Sequence, residues 1–347
     1  MERIRKWINK QEKKQAVSHR KEQKAVNKSI PQTVQTTSGR RLQRRKRWVS
    51  IKNSWILYLM ILPPIITVFI FHYVPLYGIQ MAFQDYRPSD GIFGSQWVGL
   101  KHFKNFIEYP YFWRIMANTL ILSLWSFVTF PMPILFAIML NELRSNRLRR
   151  VSQMVTYAPH FVSTVVVCSM VVLFVKQDGG LINSIIKAFG GEAYDFISDP
   201  KAFAPLYTIS GLWQGLGWST IIYTSALAGV SPELIEAAKT DGASRMRVIW
   251  HVYLPHLAPT IVIMLIMKMG SLMSVGFEKV FLLQNPLNME TSTVLSTFAY
   301  QIGLGGNSRQ YSYSAAVGLF DNIINIILVI ITNFISKKAS DNEVGLW

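Results

Sequence analysis

The hydrophobic and polar positions of this chain separate into long apolar blocks divided by short polar stretches. A helix rises about 1.5 Å per residue and needs about 20 apolar residues to cross a bilayer core. Six blocks meet that length, at roughly 55–80, 115–140, 151–175, 203–229, 257–283 and 313–336. The third, VSQMVTYAPHFVSTVVVCSMVVLFV, lies between Arg150 and Lys176 with no formal charge inside it. Pro63 and Pro64 fall in the first block, Pro131 and Pro133 in the second; a membrane helix tolerates them where neighbours satisfy the freed carbonyls. The pattern predicts an all-α integral membrane protein with six transmembrane helices spread over residues 55–336.

Charge orients those spans. The net charge is +17, but residues 1–54 alone hold 17 Lys and Arg against three Glu. This basic arm reads as a flexible cytosolic tail drawn to anionic lipid headgroups, with Trp48 and Trp55 suited to the interface. With the N-terminus inside, the cytosolic pieces are the arm, NELRSNRLRR with its four Arg, the polar stretch 231–256 and the tail 337–347. An even span count returns both termini to the cytosol, as expected of a multi-pass protein of the cell membrane. The single cysteine, Cys168, excludes an internal disulfide framework.

The stretch SPELIEAAKTDGASRMRVIWHVYLPHLAP, residues 231–259, is an unusual connection between two spans. Ser231 suits a helix N-cap, Pro232 the first helical position and Glu233 the positive end of the dipole. The helix is expected to stop at Asp241-Gly242, where glycine adopts a left-handed cap. A second helix is expected from about Ser244, ending before Pro255. Small Ala237 and Ala238 let another surface approach the backbone, and Leu234, Ile235, Val248 and Ile249 supply apolar area. The result is a docking knob.

EAAKTDGASRMRVIWHVYLP, residues 236–255, resembles the EAA loop of permease subunits of ATP-binding cassette importers. The matching positions are Glu236, Ala237, Ala238, Gly242, Val252, Leu254 and Pro255, with Val252 where isoleucine is commoner; Asp241 belongs to the Asp-Gly-Ala of the carbohydrate version. NTLILSL (118–124), GGLINSIIKAFGG with FISDP (179–200), SVGFEKVFLL (274–283) and YSYSAAVGLF (311–320) extend the resemblance over roughly 55–336. It is similar above all to permeases of Gram-positive bacteria that import complex oligosaccharides, including acidic ones. The resemblance implies the type I importer permease architecture, with the knob seated in a cleft of an ATPase subunit. It also implies two ATPase subunits, a second homologous permease and an extracellular solute-binding lipoprotein as partners.

The chemistry missing from the chain fits that picture. No G-x-x-x-x-G-K-[ST] phosphate loop occurs, and GLGGNSR (303–309) lacks both spacing and lysine. ATP and Mg are therefore expected on the partner subunits, with no cofactor on this chain, which is not itself an enzyme. The six histidines are scattered and Cys168 stands apart, so no metal cluster and no nucleophile–base spacing is found.

A sugar path should carry hydrogen-bonding groups and aromatic faces. The fourth block offers Trp213, Gln214 and Trp218, with Gly211 and Gly215 spaced for close helix packing. The tryptophans read equally as lipid or partner anchors. Lys268 lies well inside the fifth block, where an unpaired charge costs about 2.5–3.5 kcal/mol on insertion scales. Glu278, ten residues on, is too far for an intrahelical pair, and Asp321 of the sixth block reaches Lys268 only if the helices are offset. Two readings stay open: Lys268 is ion-paired or snorkels, or it faces a cavity and attracts a uronate carboxylate. Asn322 and Asn325 continue a polar stripe toward protein.

Two alternatives compete with an oligosaccharide importer. One is an importer for another organic solute, since coupling residues do not encode cargo. The other is a membrane-anchored regulator that binds nucleic acid through its basic arm and the island, because helix–Gly–helix also resembles a DNA-binding helix-turn-helix. Only about 28 residues separate the flanking spans, which leaves no room for the third helix such domains need, so no nucleic-acid partner is expected.

Overall fold

A computed structural model of the chain describes residues 54–305 and 309–339. The basic arm up to 53, with Trp48, and the tail from 340 lie outside the described residues. The chain divides into two compact units between Leu76 and Tyr77, inside the first predicted span. The first holds α1, Trp55–Val68, followed by a π turn, Phe69–Tyr73. Every α1 side chain is exposed, and all but Thr67 are hydrophobic. The Thr67 hydroxyl donates to the Pro63 carbonyl (2.9 Å), one turn back on the same helix. A 3-10 stretch, Val74–Phe83, carries the chain into the second unit.

The second unit begins with a small antiparallel pair, β1 (Gln84–Asp85) and β2 (Gln96–Trp97), flanking α2 (Gly91–Gly94). Then come α3 (Lys101–Ile107), α4 (Phe112–Val128), α5 (Pro131–Glu142) and α6 (Asn146–Tyr157). They are followed by α7 (Thr164–Val175), α8 (Leu181–Ala188), α9 (Pro200–Leu227), α10 (Pro232–Thr240) and α11 (Arg245–Val248). After the π turn Ile249–Tyr253 come α12 (Leu254–Met269), α13 (Phe277–Leu283), α14 (Met289–Ser292), α15 (Leu295–Tyr300) and α16 (Tyr311–Ala339).

Three apolar clusters hold this unit. Val167 and Cys168 of α7 pack with Phe203 of α9 and Val280 of α13. Ile134 and Ala137 of α5 pack with Tyr223 and Leu227 of α9 and with Val248, Tyr253 and Leu257 around the π turn. Where α4 and α16 begin, Phe106 meets the rings of Phe112, Phe298, Tyr313 and Phe320 at centroid distances of 5.0 to 6.4 Å.

The chain is all-α, but two predicted spans are corrected. The block 151–175 is not one helix: Asn146–Phe161 and Thr164–Val175 meet at 105°. Ala158–Phe161 tightens to a 3-10 turn at Pro159, Val162 and Ser163 are extended, and the Ser163 hydroxyl caps α7 by accepting from Val166 N–H. The block 257–283 breaks after Met269, and α13 is a separate short helix. Neighbours satisfy the polar backbone of that break. Met273 N–H donates to Asn325 Oδ1 (2.9 Å), and the Ser123 hydroxyl donates to the Leu272 carbonyl. Ser274 Oγ accepts from Asn325 Nδ2 (2.9 Å) and donates to Asp321 Oδ2 (3.3 Å). Gly270 closes the helix beside Val329, whose methyl would lie 2.7 Å from a Cβ there.

A third correction concerns the helix expected to end before Pro255. Arg245–Met269 runs as a single 25-residue helix through Pro255 and Pro259. Proline leaves a carbonyl one turn back without its donor, and the wide turn Ile249–Tyr253 directly before Pro255 absorbs the misfit. Among the described residues, four helices are long and apolar enough to cross a membrane, or five if the bent pair counts as one span. The predicted six are reached only with α9, whose 28 residues extend about 42 Å but carry too many glycine, hydroxyl and amide groups to match the others in hydropathy.

Candidate docking knob and translocation cavity

The knob is built from local rules. The Ser231 side chain accepts from Glu233 N–H (3.2 Å) and Ser244 from Arg247 N–H (3.4 Å), so both short helices carry hydroxyl N-caps. α10 ends in a paired cap: Ala243 N–H reaches the Ala238 carbonyl and Gly242 N–H the Lys239 carbonyl. That geometry needs a left-handed residue, and Gly242 supplies it at φ +75. Ile235, Ala238, Ala243, Ile249, Val252 and Leu254 pack onto the core below. Glu236, Ala237, Asp241, Gly242, Met246, Trp250 and Pro255 remain exposed.

One long-range contact ties the knob's base to the end of α5, and a local one finishes that end. Tyr253 has a buried ring, and its hydroxyl donates to Glu142 Oε1 (3.0 Å) at the end of α5. Arg149 donates to the carbonyls of Leu140 (3.0 Å), Asn141 and Leu143 (both 3.3 Å), satisfying acceptors that the end of α5 leaves open. The knob is thus a small rigid surface on a clamped foundation.

A cavity of about 460 Å³ lies between α9, the α4–α5 junction and α12 with α13. α9 lines it from Tyr207 to Tyr223 with Thr208, Gly211, Gly215 and Ser219; Ser126, Thr129, Lys268, Ser271 and Lys279 close the other sides. Its polar groups are hydroxyls and two ammonium groups, with no carboxylate among them. Among the described residues the ion pair found is Lys104–Glu108 (3.8 Å), far along the chain from either lysine.

Residues 129–341 match the family described as the binding-protein-dependent transport system inner membrane component. The chain belongs to this family. It is 44% identical over 303 residues, covering 87% of this chain and 94% of the relative, to the polygalacturonan/rhamnogalacturonan transport system permease protein YteP of Bacillus subtilis (strain 168). The arabinooligosaccharides transport system permease protein AraP of the same organism is 27% identical over 291 residues, 83% of this chain and 89% of the relative. A crystal structure of a bacterial ABC transporter involved in the import of the acidic polysaccharide alginate aligns with a TM-score of 0.76 and 37% identity, over 84% of this chain and 99% of that chain. A second, of a bacterial alginate ABC transporter in complex with an alginate pentasaccharide-bound periplasmic protein, gives 0.77 and 36%, over 86% and 99%. The chain is therefore a multi-pass permease subunit of an ABC importer, a transport component that works with a solute-binding protein.

Within this permease the residues singled out by sequence part company. Lys268, half-buried, lines the cavity and has no carboxylate in ion-pairing reach among the described residues. Trp213 is exposed and outside the cavity lining. Gln214 donates to the Val162 carbonyl (3.3 Å), supporting the bend between α6 and α7. Trp218 stacks on His160 at 4.4 Å beside the same bend. Glu278 is exposed in the first turn of α13, and Asp321 is tied to Ser274 at the break. Asn325 is buried at that break, whereas Asn322 is exposed and bonds the Gly318 carbonyl.

The glycines also exchange roles. Gly211 and Gly215 line the cavity, and nothing lies within 4 Å of a Cβ at Gly215. Close packing falls to Gly217, where a Cβ would collide with the Thr156 backbone of α6. Sequence reasoning missed Lys279, the most buried charge of the permease's described residues at 8% exposure. Its signal was present in SVGFEKVFLL, where a lysine stands in an apolar helix beside a glutamate that drew the attention.

Proposed function

We propose that this permease forms part of the membrane channel of an ATP-driven importer that carries oligosaccharides, acidic uronate-containing ones among them, across the cytoplasmic membrane. The observation that carries the reading is the cavity, lined by hydroxyls and two lysines without counter-charges. Sugar hydroxyls find donors and acceptors there, sugar C–H faces find Tyr207 and Phe130, and a carboxylate finds positive charge. The names of the relatives, which concern polygalacturonan, rhamnogalacturonan and alginate, support the same class of cargo.

On this reading two ATPase subunits, which bind ATP and Mg, grip the knob at Glu236, Ala237, Ala238, Asp241 and Gly242, with Leu254 and Pro255 at its root. A second homologous permease completes the cavity, and an extracellular solute-binding lipoprotein delivers the sugar. Both termini are cytosolic, in keeping with the positive charge of the arm and of NELRSNRLRR.

The test is uptake into proteoliposomes by the assembled importer, with galacturonate oligosaccharides and neutral oligosaccharides offered separately. Saturable ATP-dependent uptake of the acidic sugars is the expected result, and Lys268→Met should reduce it more than it reduces neutral uptake. Transport of neither class would overturn the cargo. Retention of the ATPase subunits by a Gly242→Val or Glu236→Ala complex at wild-type stoichiometry and activity would overturn the docking assignment.

A further inference from the structure

Lys279 presents an unanswered requirement. Its side chain is 8% exposed, and its ammonium Nζ has no hydrogen-bond partner among the described residues. A buried ammonium without a partner is strongly disfavoured, above all in a membrane protein, so such groups mark places where a ligand or counter-charge arrives. The neighbouring Glu278 is exposed and outside the cavity lining. The contact that orients Lys279 is the ring of Tyr207, 5.5 Å from Nζ to centroid, a cation–π interaction that leaves the N–H donors free.

Three further features converge on the same point. Gly211 stands where a Cβ would lie 3.3 Å from Nζ, so a glycine there keeps space around the ammonium. Thr208, one turn away on α9, is also buried, and its hydroxyl likewise has no partner. Both groups line the cavity that Lys268 lines from α12. An ammonium and a hydroxyl, each a donor without an acceptor, are matched by a group with two acceptor oxygens and a negative charge.

We propose that Lys279, with Thr208 beside it and Tyr207 beneath its ammonium, is a carboxylate-binding residue for the uronate of an acidic oligosaccharide, and that Lys268 supplies a second point of attraction in the same cavity. The proposal rests on the acidic-cargo reading given above and assigns the residue that makes the cavity prefer acid over neutral sugar. The pair of lysines raises the local concentration of anions, while the buried one selects a carboxylate held close enough to hydrogen-bond.

The experiment compares galacturonate oligosaccharides with the same oligosaccharides methyl-esterified at every carboxyl, using the assembled importer with its binding protein in proteoliposomes. Lys279→Met should lower uptake of the acids about tenfold and change uptake of the esters less than about twofold, the loss expected for one charged hydrogen bond. Lys279→Arg should keep most of the preference for acid. Gly211→Ala, which crowds the ammonium without removing charge, should raise KM for the acids about threefold. Equal loss of acid and ester uptake by Lys279→Met in an assembled complex would make the lysine structural and overturn the proposal. If Lys279→Met fails to assemble, an unchanged acid KM in Gly211→Ala overturns it instead. Normal acid transport by Lys279→Met defeats this proposal alone, whereas a wild-type importer that carries the esters but no acid defeats the cargo reading along with it.

Discussion

Replacing Tyr253 by Phe removes one oxygen from the root of the knob and little else. The ring is 4% exposed among Val248, Leu257 and Tyr223, so phenylalanine keeps the packing and leaves no cavity. What is lost is the hydroxyl's bond to Glu142 Oε1 at 3.0 Å, which joins positions 111 residues apart in sequence. A hydrogen bond to a carboxylate contributes about 1.5–3 kcal/mol when fully buried. Glu142 is half-buried, so water can take the place of the hydroxyl, and the expected cost falls to about 1 kcal/mol. That corresponds to about a fivefold larger population of knobs detached from the end of α5. Hydrogen exchange at the amides of 245–253 in the assembled transporter should rise by that factor, and the ATP hydrolysed per sugar imported should increase. Glu142→Ala should behave alike, and the double variant should be no worse than either single one. Additive losses in the double variant, or exchange unchanged in Tyr253→Phe, would show that this bond does not hold the knob.

Three other substitutions test separate parts of the structure. Gly242→Val places a β-branched residue at φ +75 with open space around it, so the cost is backbone strain alone, about 2 kcal/mol; Gly242→Asn should recover most of the ATPase copurification lost by the valine variant. Asn183→Leu removes the Nδ2 donor to the carbonyls of Val175 (3.1 Å), Lys176 (3.0 Å) and Tyr194 (2.9 Å) and the acceptor of Tyr194 N–H (2.8 Å). That site is buried, so the melting temperature of the complex should drop in line with about 2–4 kcal/mol, and a wild-type value would refute the role of Asn183 as the clasp of this segment. Gly217→Val drives a side chain into the backbone of Thr156, which cannot yield as a side chain could; a loss of about 3 kcal/mol or more should appear as failure to recover assembled transporter, while Gly215→Ala is recovered normally.

What the sequence disclosed and what it withheld divide along the range of the interactions involved. The knob was legible because its determinants are local: a serine cap, a proline at the first helical position, a glycine at the left-handed cap and a second serine cap lie within fourteen residues. The breaks in the third and fifth blocks were not legible, because an apolar run is interrupted only where distant side chains receive its backbone. Ser123 and Asn325 do so for Leu272 and Met273, while Asn325 and Asp321 also hold the Ser274 hydroxyl, and nothing in the local composition of 257–283 announces partners about 50 to 150 positions away. Pro255 misled for the opposite reason: its local rule is sound, but the π turn preceding it lets the helix continue. For the cavity, Lys268 was conspicuous as a solitary charge, while Lys279 was hidden beside Glu278. Which of the two faces inward depends on the helical phase of α13, and that phase is set by the break.

If the knob is the ATPase docking site, as proposed, its position in the chain explains how a short polar island acts on a cavity it does not touch. α9 enters the knob at Leu227 and lines the cavity between Tyr207 and Tyr223; the helix Arg245–Met269 leaves the knob and brings Met264, Met267 and Lys268 to the same cavity. The knob is therefore the joint between two cavity-lining helices, and a helix transmits axial displacement because shortening it breaks its ladder of hydrogen bonds. On the exit side the π turn Ile249–Tyr253 sits between joint and cavity, a place where a helix changes its winding at low cost. Tyr253, the last residue of that turn, is also the residue bound to α5. A force on the exposed face of α10 would be resisted at Tyr253 and conveyed along α9, so that the two walls of the cavity move unequally. Unequal movement of the wall carrying Lys268 and the wall carrying Thr208 and Gly211 is what loosening a carboxylate held between them requires.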